Sequence, residues 1–199
     1  MLLGLTGLYC SGKNFVGGIL EQKGFAVLDV DKLGHTALEN QKEVIAECFG
    51  KGILDADGTV NRRTLGKCVF SRPDKLAELE AIVHPEVNEL TLSWIDVHGG
   101  VPCVINAALL HRSSAFTRLS AIIFVRAPYL SRLLRAKKRD GLSWKEIMRR
   151  INSQEFGVYY RDQKTGIYYI DNGGFDFFTR LNRRILEKRV DKILAALRV

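Results

Sequence analysis

Short, unbroken apolar runs alternate along this chain with stretches in which apolar residues recur every three or four positions. Leu2-Leu3-Gly4-Leu5, Gly24-Phe25-Ala26-Val27-Leu28, Val101-Pro102-Cys103-Val104-Ile105-Asn106, Ala121-Ile122-Ile123-Phe124-Val125 and Gly166-Ile167-Tyr168-Tyr169-Ile170 are the runs. Such continuity is typical of strands buried on both faces, and their alternation with helices predicts a parallel sheet. Phe15, Val16, Ile19 and Leu20 predict a helix after the first strand. From Lys32 to about His98 the spacing is helical almost throughout, with a turn at Asp55-Ala56-Asp57-Gly58 and a break expected at His84-Pro85. Arg132 to Gln154 reads as two helices parted near Asp140-Gly141, the second opened by a Ser143/Glu146 capping box. Phe178, Leu181, Ile185, Leu186, Val190, Ile193, Leu194 and Leu197 give a C-terminal helix its apolar stripe.

A helical region as long as 32–98 exceeds a plain crossover, so it is expected to be an inserted subdomain in a core made of 1–31 and 99–199. No internal repeat, low-complexity stretch or linker interrupts this plan.

Composition narrows the class. Hydrophobic residues make up 46% and charged residues 26% of the 199, ordinary values for a soluble globular protein. No stretch approaches the roughly 20 apolar residues of a membrane span, and the N-terminus lacks a basic leader, so a cytoplasmic protein with no membrane partner is expected. Cys10, Cys48, Cys68 and Cys103 have neither metal-site nor disulfide-framework spacing and read as reduced thiols. Cys10 is either a reactive thiol or a small filler of its loop. The net charge of +8 implies an anionic partner: nucleic acid, an acidic membrane surface or a polyphosphate metabolite. The basic residues form no single run, so nucleic acid is not required. Their densest group, Arg132, Arg135, Lys137, Lys138 and Arg139, is equally readable as a solvated helix face.

The chemistry concentrates at Gly7-Leu8-Tyr9-Cys10-Ser11-Gly12-Lys13-Asn14, between the first strand and the first helix. Gly-x-x-x-x-Gly-Lys is the spacing with which a backbone wraps a polyphosphate: glycines permit positive φ and close approach, and N–H groups turn inward. Lys13 would reach the outer phosphates, and the helix N-terminus adds its dipole. Asn14 stands where the pattern has a Ser or Thr that ligates Mg²⁺; its amide oxygen can bind the ion but carries no charge. Asp29 and Asp31 follow the second strand, and the carboxyl ends of strands are where open α/β sheets place ligands. Standing alone, such a pair is also a common helix-capping turn.

Phosphate loop, carboxylates, helical insertion and arginine-rich segment together describe a small-molecule kinase. The sequence resembles the dephospho-coenzyme A kinases nearly from end to end. The resemblance rests on Gly4-Leu5-Thr6-Gly7 with Gly12-Lys13, Asp29-Val30-Asp31, Ile53-Leu54-Asp55-Ala56-Asp57-Gly58, and Arg62 and Arg63 with Leu65. It continues in Val69-Phe70 with Leu76, Leu79-Glu80-Ala81-Ile82-Val83-His84-Pro85, Arg135, Arg139-Asp140-Gly141-Leu142-Ser143, Arg150-Ile151 to Gln154, and Ile170-Asp171-Asn172-Gly173. It implies an α/β fold: the three-layer αβα P-loop kinase architecture with a central parallel sheet, the insertion as substrate subdomain, and a helical lid over about 135–162. It also implies ATP and Mg²⁺ as cofactors and dephospho-coenzyme A as substrate, phosphorylated on its ribose 3′-hydroxyl. No nucleic acid is implied, and a monomer or weak homo-oligomer is expected.

By the same resemblance Asp29 is the general base, and Lys13, Arg135 and Arg139 act on the transferring group, with Arg150 from the lid. The loop residues Gly7, Leu8, Tyr9, Cys10, Ser11, Gly12, Lys13 and Asn14, with Arg139 and Asn172, would hold the nucleotide, Asn172 near its adenine. Asn14 would be the one protein ligand to the metal. Asp31, Arg63, His84 and Leu109 would bind the acceptor. His84 before a proline can equally satisfy a buried turn, and either Arg62 or Arg63 can face the substrate.

The chain departs from the family pattern after the third strand. There Asn106 replaces an aspartate, Ala108 a proline, and Arg112 stands in place of a glutamate. With Asn14, these changes remove negative charge and a hydroxyl from the metal region. Two expectations follow: an active kinase whose metal shell is completed by water, or a catalytically weak paralogue that binds ATP or coenzyme A as a sensor or scaffold.

Overall fold

The computed structural model describes residues 1–70, 72–153, 165–173 and 179–198. Gln154, the remainder of the expected lid to 162, and Phe178 lie outside the described residues. The chain forms two compact units, Met1–Leu28 with Val97–Val199, and Asp29–Asp96.

In the first unit, strands β1 (Leu2–Gly7), β2 (Ala26–Asp29), β3 (Cys103–Asn106), β4 (Ala121–Arg126) and β5 (Gly166–Asp171) lie in the order β2-β3-β1-β4-β5. The sheet is parallel, with Leu5 level with Asn106 on one side and Gly7 level with Val125 on the other. Every residue of β1 is buried, as its apolar run requires. Helix α1 (Lys13–Gln22) follows it at once. Val16, Ile19 and Leu20 pack with Leu3, Leu5, Val104, Ile123 and Val125, and with Leu186, Val190, Ile193 and Leu194 of the C-terminal helix. Each such side chain contributes about 1.5–3 kcal/mol of transfer free energy. That packing fixes α1 against the sheet, and with it the loop between them.

The second unit is helical: α2 (Val30–Asn40), α3 (Lys42–Phe49), α4 (Arg62–Val69) and most of α5 (Pro73–Val97). Its own core joins Ile45, Ile53, Val60, Leu65 and Val69 to Leu76, Leu79, Ile82 and Val83. One expectation needs correction here. Pro85 does not break the helix: α5 runs through it. Proline removes a single intrahelical bond, and packed residues hold both flanks, Ile82 and Val83 against this core before it and Thr91 and Ile95 buried after it. Asp29 ends β2, α2 begins at Val30, and Asp31 lies in the first turn of α2.

Returning to the first unit, α6 (Tyr129–Asp140) and α7 (Trp144–Asn152) form a hairpin, and α8 (Thr179–Leu197) closes the chain. The capping box forms: the Ser143 hydroxyl accepts from the Glu146 backbone while the Glu146 carboxylate accepts from the Ser143 backbone. Gly141 at φ 65° terminates α6 in the left-handed conformation that glycine adopts without penalty. Leu181 and Ile185, expected in the α8 stripe, are exposed at 58% and 42%, whereas Leu186, Val190, Ile193 and Leu194 are buried.

Candidate functional site

The segment from Gly7 to Lys13 is a tight loop held by the end of the sheet. Leu8 N–H donates to Val125 O at 3.2 Å, and Ser11 N–H to Leu8 O at 2.9 Å. Gly7 is required for closeness rather than for positive φ, since a Cβ there would sit 2.5 Å from the Val125 carbonyl oxygen. The left-handed residues are Cys10 (φ 58°) and Gly12 (φ 93°). Gly12 occupies the N-cap of α1 and has no side chain to cap it. The dipole of α1 places partial positive charge at this end, which favours an anion there.

Lys13 leaves the loop toward the end of β3, where Nζ donates to Asn106 Oδ1 at 2.9 Å. A lysine is a pure donor, so it fixes which side of the Asn106 amide faces it. The other side, Nδ2, donates to Asn14 Oδ1 at 3.1 Å. The corner that would meet a metal ion is therefore a neutral amide pair plus an ammonium. Among the described residues no group of three or more His, Cys, Asp or Glu side chains is placed to hold a metal. Asn14 is exposed and its oxygen keeps a second lone pair, so a hard cation carried by phosphates and water fits it as a neutral oxygen ligand.

The α6–α7 hairpin covers the loop. Tyr9 and Cys10 pack against Ala136, Ile147 and Ile151. Arg135 braces the loop from behind, donating through Nη1 to Ser11 O (3.2 Å) and Cys10 O (3.4 Å), and through Nη2 to Asn172 O and Oδ1 (3.2 and 3.3 Å). Asn172, only 4% exposed, sends Nδ2 to Ser11 O at 2.8 Å and accepts from Asn182 at 3.0 Å. Its amide thus ties the end of β5 to the phosphate loop. Arg139 makes a two-pronged pair with Asp140 (2.7 and 3.0 Å), its guanidinium 5.2 Å from the centroid of the Tyr9 ring. The Tyr9 hydroxyl donates to the same carboxylate. Arg139 and Tyr9 together hold the Asp140 carboxyl below its usual range, Arg139 being the larger cause. Burial pushes the Cys10 thiol up against the pull of Arg139 and Arg135. Arg150 is exposed, and Leu109, 49% exposed, precedes the 3₁₀ turn Leu110–Arg112, whose last residue Arg112 is exposed too.

In the second unit, Asp29 stands in the N-cap position of α2 but makes no capping hydrogen bond. Its Oδ1 is buried without a partner, and Oδ2 lies 3.9 Å from Lys32 Nζ. The helix-capping alternative for this carboxylate is thereby removed. Asp31, Arg62 and Arg63 are exposed; Asn61, and neither arginine, caps α4 through Thr64 N–H. His84 is partly exposed, with Nε2 3.9 Å from Glu80. Three features around the phosphate loop of the first unit were not read from the sequence: the Lys13-Asn106-Asn14 chain, the anchoring of Arg139 by Asp140, and the burial of Arg132. The first had a signal in the paired amides at positions 14 and 106. The second had one in the adjacency of Arg139 and Asp140.

A cradle of this kind wraps a polyphosphate, and a hairpin bearing arginines over it can neutralise and enclose the terminal group; fold and site define a kinase of the P-loop class. The sequence model for dephospho-CoA kinase matches residues 1–173. A dephospho-CoA kinase of Geobacter sulfurreducens is 33% identical over 200 residues, covering 98% of this chain and 97% of its own length. A crystal structure from Thermus thermophilus superposes with a TM-score of 0.79 at 32% identity, covering 99% of this chain and 97% of that one. The shikimate kinase of Bacteroides thetaiotaomicron, at 15% identity and a TM-score of 0.51 over 98% of each chain, shares the fold. The chain belongs to the dephospho-CoA kinase family.

Proposed function

We propose that this protein transfers the terminal phosphoryl group of ATP to the ribose 3′-hydroxyl of dephospho-coenzyme A, giving coenzyme A. The loop from Gly7 to Asn14 binds the phosphates, Lys13 leads the outer ones, and Asn14 is the protein's oxygen ligand to Mg²⁺. When bound, that ion neutralises charge on the phosphate oxygens. Asp29 accepts the hydroxyl proton and orients its oxygen. With a loose transition state, positioning is most of what a carboxylate has to supply. Arg135 keeps the loop in shape, and Arg139 reaches the transferring group by exchanging Asp140 for phosphate oxygens. Asn172 holds the loop from the nucleotide's base side. The unit 29–96 is the acceptor-binding part, with Asp31, Arg63 and His84; Leu109 adds an apolar contact from the core.

The observation that carries this proposal is the state of Asp29: a carboxylate oxygen buried, unpartnered and not used as a cap. A protein that merely binds ATP or coenzyme A has no need of it. The test is a coupled assay with ATP, Mg²⁺ and dephospho-coenzyme A beside other nucleoside acceptors. Turnover selective for dephospho-coenzyme A supports the proposal, and ATP binding without turnover on any acceptor favours the sensor or scaffold alternative, for which the neutral Asn14-Asn106 corner is the motive.

A further inference from the structure

Arg132 lies on α6 about one turn before Arg135, and Arg139 about one turn after it, so the three share one side of the helix. Their surroundings differ. Arg135 is engaged with the loop carbonyls and Asn172, and Arg139 with Asp140. Arg132 is 7% exposed, and its Nε and Nη1 are buried with no hydrogen-bond partner. The charged or titratable groups that bear on it are the Cys10 thiol of the phosphate loop and the Tyr129 phenol, with no carboxylate among the described residues doing so. Burial pushes its pKa down, although a guanidinium remains charged at any ordinary pH.

A buried cation without a counter-charge is an expensive arrangement, and replacing it by an apolar side chain of similar shape is commonly neutral or stabilising to the fold. Its position beside a cradle for polyphosphate supplies a compensating use. The metal corner makes the same demand from the other side: Asn14 and Asn106 are both neutral, so these two side chains contribute no anion there to concentrate a divalent cation. More of the phosphate charge is left for protein cations to balance.

We infer that Arg132 is an additional phosphate-binding residue of this site, its guanidinium turning about its terminal torsions to place N–H donors on an oxygen of the nucleotide's polyphosphate. This rests on the loop being a nucleotide cradle and adds a residue to it that the family resemblance did not supply. Arg132 then couples α6 to ligand binding: the bound anion converts an uncompensated charge on the covering helix into a paired one.

The test compares wild type with Arg132→Met, Arg132→Lys and Lys13→Ala by calorimetric titration with ATP and Mg²⁺, alongside thermal unfolding without nucleotide. Arg132→Met is expected to unfold no earlier than wild type yet to bind ATP about ten- to a hundredfold more weakly, the loss of a charge-assisted bond. Arg132→Lys, which keeps the charge and loses the fork, is expected to fall between the two. ATP affinity of Arg132→Met within twofold of wild type overturns the inference. Should Arg132→Met not fold, Arg132→Lys decides: weakened binding supports the role and wild-type affinity overturns it. Lys13→Ala separates the two levels. If it loses ATP while the Arg132 variants do not, the cradle stands and Arg132's role falls. If Lys13→Ala binds ATP normally, the cradle falls and the inference with it.

Discussion

Substituting Asn106→Asp restores a carboxylate to the end of β3, and its consequences can be worked from two distances. Lys13 Nζ lies 2.9 Å from Asn106 Oδ1, so the new charge pair attracts by about 6 kcal/mol at an effective dielectric near 20. Asn106 is 3% exposed, so desolvation cancels several kcal/mol of that. The net gain should be about 1.5–3 kcal/mol, as for hydrogen bonds to charged groups. On the other side, an acceptor replaces the Nδ2 donor 3.1 Å from Asn14 Oδ1, and Asn14 must turn its amide to donate instead. Lys13 is then held more firmly away from phosphate, while the carboxylate attracts a divalent cation. ATP should therefore bind about ten- to a hundredfold more weakly in the presence of a chelator, and the Mg²⁺ concentration giving half-maximal velocity should fall. Calorimetric titration with ATP in EDTA and in Mg²⁺ measures both sides. An unchanged ratio of the two dissociation constants would refute the reasoning, because it would mean that Lys13 and the cation do not compete through position 106.

Other consequences follow from the loop and its cover. Gly12→Ala puts a Cβ 2.4 Å from Asn172 Nδ2 at a φ of 93°, which strains the backbone and displaces the bond to Ser11 O; it should cost about 1–3 kcal/mol in denaturant titrations and abolish ATP binding, and a wild-type midpoint would contradict the packing described. Asp140 has its pKa depressed in the folded state by Arg139 and Tyr9, so its contribution to stability is full above the ordinary aspartate value of about 4 and is lost as pH falls through the depressed value. The stability gap between wild type and Asp140→Asn should accordingly be larger at pH 6 than at pH 3, and a gap independent of pH would remove the pairing from the account.

Much of this molecule was legible in the sequence because local and global signals agreed. The run Leu2-Leu3-Gly4-Leu5 is buried residue for residue, and the Ser143/Glu146 box forms where the letters place it. The local cost of Pro85 is outweighed by the packed residues that hold α5 on both sides of it, which helical spacing alone does not show. Leu181 and Ile185 satisfied the helical period but project where no partner covers them; periodicity reports a face and not its burial. The site divides in the same way. Spacing alone locates the loop, whereas the pairing of Lys13 with Asn106 and of Asn172 with Ser11 depends on contacts distant in sequence. Asp29 lies between these cases: its place at the end of β2 is readable, and the absence of a capping bond is visible only in three dimensions.

The measurement that bears most directly on the proposed chemistry is phosphoryl transfer from ATP to dephospho-coenzyme A by wild type and Asp29→Asn, with ATP affinity determined in parallel. The wild-type chain is expected to make coenzyme A, and the variant to lose about a hundred- to ten-thousandfold in kcat while binding ATP within about threefold, since the phosphate loop holds ATP independently of this carboxylate. Transfer at an undiminished rate by Asp29→Asn, or none by a wild-type protein saturated with ATP, would contradict the account.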